Sequence, residues 1–319
     1  MKLLLPILFL VVLGGCAATV RTADPDLPAT IESRTPPPDL TLTIPGLGPC
    51  DDNSPRTLYL NSREPVIILV HGCLGSAGNF RALAEVFAFS GQQAVCFSYN
   101  DRDSLMASSA QLTTAIETLA ESLQRKKITV IGHSQGGLIA RKALIADRPE
   151  PFNSIDAGLE LVTVSAPFSG ITAASHCGST LARVLSLGLT VPICKLVSGD
   201  KWHEITASSD FIRNPGGFVP QVAAHLKINT DETDSCRRVV GDNCAESDYV
   251  FSLEEQRYQP VDADAAVQSF DVKAGHVEIV GDQHVVPHKL IAILQQQGIL
   301  NIAPAERSAA FRRLLTRLY

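Results

Sequence analysis

The chain has 319 residues, of which 45% are hydrophobic and 19% are charged, and its formal net charge is -6. This length and composition predict a globular protein with one large core and exclude a disordered chain. The negative net charge argues against a nucleic-acid-binding surface, which requires an excess of basic residues. It also argues against binding to anionic membranes mainly through electrostatic attraction.

The amino-terminal residues have the pattern of an export signal, with a positive charge at Lys2 followed by an apolar run too short to span a bilayer. Small residues then precede Cys16, which resembles the lipobox of bacterial lipoproteins. The resemblance implies a signal peptide at residues 1–15 and an acylated Cys16. Because Ala17 and not Asp follows, it also implies the outer membrane of a Gram-negative bacterium. The alternative is an ordinary signal peptide cut near Ala18.

The next stretch is rich in Pro, Thr and Asp and cannot bury enough apolar surface to fold. We therefore expect residues 16–55 to form a tether and amino-terminal segment, followed by a folded domain at 56–302. The tail at 303–319 has an apolar face and several arginines, and predicts an amphipathic helix. We expect this helix to pack on the domain, with a membrane-surface role as the alternative.

Seven of the eight cysteines remain if Cys16 is acylated, so at least one thiol stays outside any intramolecular disulfide. Export permits disulfides, and sequence proximity favours two local bridges. These are Cys177 with Cys194 and Cys236 with Cys244. The sequence leaves the partners of three others open: Cys50, Cys73 and Cys96.

Short apolar, β-branched runs alternate with helical patterns through the middle of the chain. This alternation predicts a mostly parallel, doubly wound sheet of the α/β class. The predicted strands lie at 65–70, 94–99, 128–131, 159–164, 225–230 and 267–272, and the predicted helices at 80–90, 112–123, 138–146 and 286–296. The alternation breaks between Phe168 and about Pro220, where a long, partly apolar insertion at about 170–220 predicts a cap or lid.

Residues 132–136 read Gly-His-Ser-Gln-Gly and match the Gly-x-Ser-x-Gly nucleophile elbow. The motif works sterically, because a strand must turn into a helix within one residue while flanking glycines allow close packing. Its serine, Ser134, then stands at the positive end of a helix. The required context, an apolar strand before and a helical pattern after, is present.

On these residues the chain resembles the α/β-hydrolase superfamily, and within it bacterial lipases, over about residues 65–297. Residues 71–75, His-Gly-Cys-Leu-Gly, look like the family's turn after its third strand. The resemblance implies an oxyanion hole built from the backbone N–H groups of Cys73 and Gln135. It implies that His71 braces the turn and does not transfer protons.

The family's chain order of nucleophile, acid and base places the acid between Ser134 and a downstream histidine. His276 lies between the last predicted strand and the last predicted helix, where this fold carries its base. For the acid we favour Asp248, at the start of a predicted helix, over Asp231, at the end of a predicted strand. Two further aspartates remain open as weaker candidates, Asp234 and Asp262.

These residues predict an enzyme that cleaves carboxylic esters, with lipid or acyl esters as the favoured class, through an acyl-enzyme on Ser134. An acyltransferase with the same triad is the alternative, and a non-catalytic anchored binding protein is a third hypothesis. The expected partners are an ester or lipid substrate and, through Cys16, a membrane. We expect no cofactor, no metal and no nucleic acid.

Overall fold

The computed structural model describes residues 37–54, 56–124, 127–147, 157–172 and 203–319. Its strands, in chain order, are β1 (Leu40–Leu42), β2 (Leu47–Gly48), β3 (Leu58–Leu60), β4 (Val66–Val70), β5 (Gln93–Phe97), β6 (Lys127–His133), β7 (Gly158–Val164), β8 (Val222–Asp231), β9 (Cys236–Val240), β10 (Asn243–Ser247) and β11 (Val267–Lys273). Its α-helices are α1 (Arg81–Phe89), α2 (Leu105–Ser122), α3 (Gln135–Ala143), α4 (Asp210–Arg213), α5 (Leu253–Gln256), α6 (Gln259–Asp262), α7 (His288–Gln296) and α8 (Ser308–Leu318).

The central sheet has seven strands in the order β11-β8-β7-β6-β4-β5-β2. Neighbouring strands run parallel except at one edge, where β2 pairs antiparallel with β5. The carboxyl ends of the parallel strands therefore meet along one edge of the sheet, where open α/β sheets carry their ligands. This architecture confirms the predicted α/β class.

Two apolar layers cover the sheet, one on each face. The first contains the buried sides of α2 and α3, and the second contains those of α1, α7 and α8. Every residue of β4 is buried, as a strand covered on both faces requires. This double coverage explains why the sequence shows continuous apolar runs at the central strands and no polar alternation.

Two disulfides link described parts of the chain. Cys236 and Cys244 join β9 to β10 across a solvent-exposed hairpin, which confirms the predicted pairing. Cys50 is joined to Cys96 of β5, a pairing that the sequence left open. Cys73 takes part in neither bridge and is exposed. The remaining predicted pair, Cys177 with Cys194, lies outside the described residues.

The predicted cap falls largely on residues 173–202, which lie outside the described part of the chain. Its two ends are bound to each other and to the domain. The Ile171 N–H donates to the carbonyl of Ile205 at 2.8 Å. Glu204 accepts hydrogen bonds from Ser104 Oγ (2.8 Å) and the Leu105 N–H (2.5 Å) at the start of α2. The insertion therefore leaves and rejoins the domain at fixed points.

The carboxyl-terminal helix α8 packs against α1. The rings of Phe311 and Phe89 are 5.5 Å apart, and Leu314 and Leu315 are buried beneath the helix. The apolar face of α8 is therefore covered by the domain. Within the described ranges, no helix has both the length and the apolar character needed to cross a bilayer.

Replacing both Cys50 and Cys96 with alanine should lower the free energy of unfolding by about 4 kcal/mol, because the bridge removes loop entropy from the unfolded chain. The loop that it closes has a sequence separation of 46. The matched control is the Cys236–Cys244 pair, with a separation of 8, whose removal should cost about 2.5 kcal/mol. Urea unfolding measures both values, and equal losses would contradict the loop-length argument.

Candidate active site

Ser134 stands at the sharp turn between β6 and α3. Its backbone has φ 56° and ψ -126°, a conformation that residues other than glycine rarely adopt. The two neighbouring glycines are sterically required: a Cβ on Gly132 would lie 2.4 Å from the carbonyl oxygen of Gly136, and one on Gly136 would lie 2.3 Å from that of Val70. The structure therefore has the strained strand-to-helix turn that the motif predicts.

The loop after β4 lies directly beside Ser134. A Cβ on Gly72 would lie 3.0 Å from Ser134 Cβ and 3.5 Å from its Oγ, so only glycine leaves the space open. Cys73, the next residue, thereby comes close to the serine. Leu74 has φ 57°, and its N–H donates to Asp101 Oδ2 at 2.5 Å. The Asp101 carboxylate therefore holds this loop in its left-handed turn.

His71 and Gln135 are anchored by the same neighbour, Tyr99. The imidazole of His71 stacks on the Tyr99 ring at 4.4 Å, and the Tyr99 hydroxyl donates to the His71 carbonyl at 2.7 Å. The side-chain amide of Gln135 donates to the Tyr99 hydroxyl at 3.4 Å and to the Asp101 carbonyl at 3.2 Å. These contacts fix the two segments whose backbone N–H groups flank Ser134, and they give His71 a bracing position.

His276 lies in the turn after β11, next to the elbow. His133 Nε2 donates to the His276 carbonyl at 2.9 Å, and the two rings lie 4.7 Å apart. The ring of Phe251 meets the other side of the imidazole edge-on at 4.9 Å. His276 is thus held by His133, the residue that immediately precedes Ser134.

The carboxylate in contact with this imidazole is Glu232, which follows the end of β8. Its Oε1 lies 2.8 Å from His276 Nδ1. The same oxygen accepts a hydrogen bond from Ser165 Oγ at 2.6 Å and lies 2.9 Å from Thr230 Oγ1. Glu232 therefore fixes the Nδ1 side of the His276 ring, and it is a carboxylate that the sequence analysis did not weigh as the acid.

Backbone N–H groups satisfy the other oxygen of Glu232. Val250 and Phe251 donate to Oε2 at 2.6 and 2.8 Å. Burial of this side chain raises its pKa, but the hydrogen bond and charge of His276, with the hydrogen bonds from Ser165 and Phe251, outweigh burial and bring the pKa below its usual value. The carboxylate therefore stays ionised at neutral pH.

Asp248, the predicted acid, has a different place, so this prediction is wrong about the partner of the imidazole. Its carboxylate accepts hydrogen bonds from the N–H groups of Val277 (3.0 Å) and Glu278 (2.9 Å), and its carbonyl accepts from the His276 N–H (2.9 Å). A Cβ on Gly275 would lie 2.1 Å from Asp248 Oδ2. Asp248 thus shapes the turn that carries His276 without contacting its ring.

The alternative acid, Asp231, also lies away from His276. Its carboxylate accepts from the Thr233 N–H at 3.1 Å and pairs with Lys273. Side chains alternate between the two faces of a strand, so Asp231 and Glu232 point in opposite directions. Glu232 shares its face with Ile228, which belongs to the same apolar cluster as Ala274 next to the His276 turn. This alternation was the available signal for Glu232. Of the weaker candidates, Asp262 forms an ion pair with Lys227.

Across the described ranges, no three His, Cys, Asp or Glu side chains are grouped so that they could hold a metal ion.

The comparisons with known proteins concern the fold and the class of reaction. The sequence model of the palmitoyl protein thioesterase family matches residues 65–219, a stretch that includes Ser134 and ends before Glu232. The mature lipase BlEst2 of Bacillus licheniformis superposes with a TM-score of 0.50 at 15% identity, over 83% of this chain and 99% of that chain. Its propeptide form gives 0.50 and 15%, over 84% of this chain and 54% of that chain. A search of curated proteins finds no match.

At this identity the likeness to the lipase concerns the fold, and that fold is the α/β-hydrolase fold. Together with the thioesterase match, this likeness supports a carboxylic ester hydrolase. The chain is an ester-hydrolysing serine hydrolase. In this hydrolase the strand order places the elbow at the centre of the sheet, with β4 and β7 on either side of β6.

Burial makes the stability of the hydrolase depend on pH through His133. Desolvation, followed by the charge of His276, lowers the pKa of His133 to about 3. In the unfolded chain this histidine binds a proton near pH 6.5. Its contribution to the free energy of unfolding is therefore fully present above that pH, and it falls by about 1.4 kcal/mol per pH unit as the pH drops towards 3.

The variant His133→Asn should remove this contribution and flatten the pH dependence by about that slope. Urea unfolding of the variant and the wild type between about pH 7 and pH 4 measures the difference. The exposed His284→Asn serves as the control. Parallel curves for His133→Asn and the wild type would show that His133 is not buried in its neutral form.

Proposed function

We propose that the hydrolase cleaves carboxylic esters with Ser134 as nucleophile, His276 as general base and Glu232 as the orienting acid. The observation that carries this proposal is the 2.8 Å contact between Glu232 Oε1 and His276 Nδ1, on a histidine held against the nucleophile elbow. A serine hydroxyl is a weak nucleophile at neutral pH and requires such a base.

In the first half-reaction, His276 Nε2 removes the hydroxyl proton of Ser134 while Oγ attacks the ester carbonyl carbon. The backbone N–H groups of Cys73 and Gln135 would stabilise the oxyanion of the tetrahedral intermediate. When the intermediate collapses, the bond to the leaving oxygen breaks, and that oxygen takes the proton from His276. The acyl group remains on Ser134 as an ester.

In the second half-reaction, His276 deprotonates a water molecule, which attacks the acyl carbonyl and releases the carboxylic acid. Glu232 contributes by holding the proton of the imidazole on Nδ1, so that Nε2 keeps its lone pair for Ser134 or water. The ionised carboxylate also stabilises the imidazolium that forms in each half. Its depressed pKa supports this role.

We infer that the substrate carries an apolar acyl group. Leu74 is 78% exposed on the loop beside Ser134, and Val250, which contacts Glu232 through its N–H, is also exposed. Exposed aliphatic side chains around a reactive serine favour an acyl chain over a small polar group. The partly apolar insertion from Phe168 to Pro220, proposed as a cap, agrees with this substrate class.

The thioesterase match supports acyl thioesters as a second substrate class. The same triad attacks a thioester carbonyl, with a thiol as the leaving group. Transfer of the acyl group to an alcohol is the alternative outcome of the second half-reaction, because an alcohol can take the place of water if the site excludes water well enough. A non-catalytic binding protein would need Ser134 to be unreactive.

We further propose that Cys16 is acylated and anchors the hydrolase to the outer membrane of a Gram-negative cell. The support is the sequence of an apolar run and small residues that ends at Cys16. The variant Cys16→Ser should lose incorporation of radiolabelled palmitate and leave the membrane fraction. The variant Cys73→Ser is the control and should stay labelled. Equal labelling of Cys16→Ser and the wild type would overturn the anchor.

Replacing Ser134 with alanine should abolish the hydrolysis of p-nitrophenyl esters and the covalent labelling by a fluorophosphonate. The residual activity should lie about a millionfold below the wild type, because the attacking atom is gone. Kinetics from acetate to palmitate measure the acyl preference, with activity rising with chain length as the expected result. Activity that survives the substitution would overturn the role of Ser134.

Two further assays separate the candidate reactions. An acyl-coenzyme A thioester offered against the p-nitrophenyl ester of the same chain length tests the thioester class. Product analysis with and without an added alcohol tests transfer: free acid alone supports hydrolysis, and an alkyl ester supports an acyltransferase.

The variant Glu232→Gln should lower kcat by about 10⁴-fold, because a neutral amide no longer holds the correct tautomer or stabilises the imidazolium. The matched variant Asp248→Asn removes a charge from the turn below His276. It should lower the free energy of unfolding by about 1–3 kcal/mol with a much smaller change in kcat. If kcat fell more in Asp248→Asn than in Glu232→Gln, Asp248 and not Glu232 would be the acid.

A further inference from the structure

Ser165 lies beside the proposed triad, but the mechanism proposed above gives it no role. It directly follows the end of β7 and is completely buried. Its Oγ is 2.6 Å from Glu232 Oε1 and 2.9 Å from His276 Nδ1. The hydroxyl therefore touches both the acid and the ring nitrogen that the acid holds.

The directions of the hydrogen bonds around Ser165 follow from the number of hydrogens. Thr230 Oγ1 donates to Ser165 Oγ at 2.7 Å, and Ser165 donates its single hydroxyl hydrogen to Glu232 Oε1. The remaining lone pair of the Ser165 oxygen is then available to His276 Nδ1. The Nδ1 hydrogen is thus shared between two acceptors, the Glu232 carboxylate and the Ser165 hydroxyl.

The backbone fixes the hydroxyl in this place. Ser165 has φ 49°, in the left-handed region, and its N–H donates to the Ile228 carbonyl in β8 at 2.9 Å. The carbonyl of the preceding residue, Val164, accepts from the Ser134 N–H at 2.8 Å. Ser165 therefore connects the strand of the nucleophile with the strand of the acid, in a conformation that side-chain-bearing residues seldom adopt.

We propose that Ser165 is a positioning residue of the catalytic site, which provides the second acceptor for the Nδ1 hydrogen of His276. This inference rests on the proposed function of Ser134, His276 and Glu232. Ser165 fixes the plane of the imidazole and holds the Glu232 carboxylate in register with it. When His276 takes the proton of Ser134, the imidazolium keeps two hydrogen-bond acceptors at Nδ1, and no proton passes through Ser165.

The test compares Ser165→Ala with Ser165→Gly on a p-nitrophenyl ester that the wild type cleaves. Both variants remove the hydroxyl, but glycine also relieves the positive φ. We expect kcat to fall about 10- to 100-fold in both, which corresponds to one hydrogen bond to a charged group, with KM within about twofold of the wild type. The matched control is Ser62→Ala, which removes another buried hydroxyl that donates to a carboxylate, that of Asp39 at 2.8 Å.

A second readout follows the Nδ1 hydrogen of His276 itself by proton NMR. Its chemical shift should change in both Ser165 variants and stay constant in Ser62→Ala. Unchanged kcat in both folded variants, or wild-type activity in Ser165→Gly alone, would overturn the proposal, since the second result assigns the effect to backbone strain. An error in the proposed triad would be recognised separately, because Ser134→Ala would then keep its activity.

Discussion

The buried carboxylate of Glu232 is the interaction on which the rest of the site depends. The residue is 1% exposed, and an ionised carboxylate without partners at such a place would cost several kcal/mol. Three side chains meet one of its oxygens and two backbone N–H groups meet the other. Because the donors come from different segments, satisfying this single charge fixes the ends of β7 and β8, the turn after β11 and the segment before α5 relative to one another.

Backbone strain is concentrated around this charge. Ser134, Ser165 and Leu74 all have positive φ, and they follow β6, β7 and β4, three adjacent strands of the sheet. Each such residue costs about 1–3 kcal/mol, which a structure tolerates only where the surrounding contacts over-determine the conformation. Here the contacts are a sheet buried on both faces and the hydrogen bonds of Glu232 and Asp101. Three of the four non-glycine residues with positive φ in the described ranges therefore lie after adjacent central strands, and the fourth, Asp234, lies between β8 and β9.

The prediction of the triad acid shows where sequence reasoning reaches its limit. The sequence pattern places Asp248 at a predicted helix start, and in the structure Asp248 is next to His276. Its carboxylate, however, is used by the backbone N–H groups of Val277 and Glu278, while the excursion of β9 and β10 separates it in sequence from Glu232. Glu232 contacts the ring of His276 through its carboxylate, whereas Asp248 accepts from the His276 N–H through its backbone carbonyl. Spacing along the chain cannot distinguish these two uses.

The sequence by itself predicts four features of this protein. They are the parallel sheet, the elbow at Ser134, the location of His276 after the last strand and the Cys236–Cys244 bridge. The sheet and the bridge are features of the structure, and the two residues lie where their patterns indicated. These features follow from local rules: apolar runs make buried strands, glycines permit a strained turn, and nearby cysteines meet easily. Only the tertiary structure decided that Glu232 contacts the imidazole, that Ser165 lies between them, and that Cys50 pairs with Cys96. Each of these contacts joins segments that are distant in the chain, so its partner depends on strand order and on which face of a strand a side chain occupies.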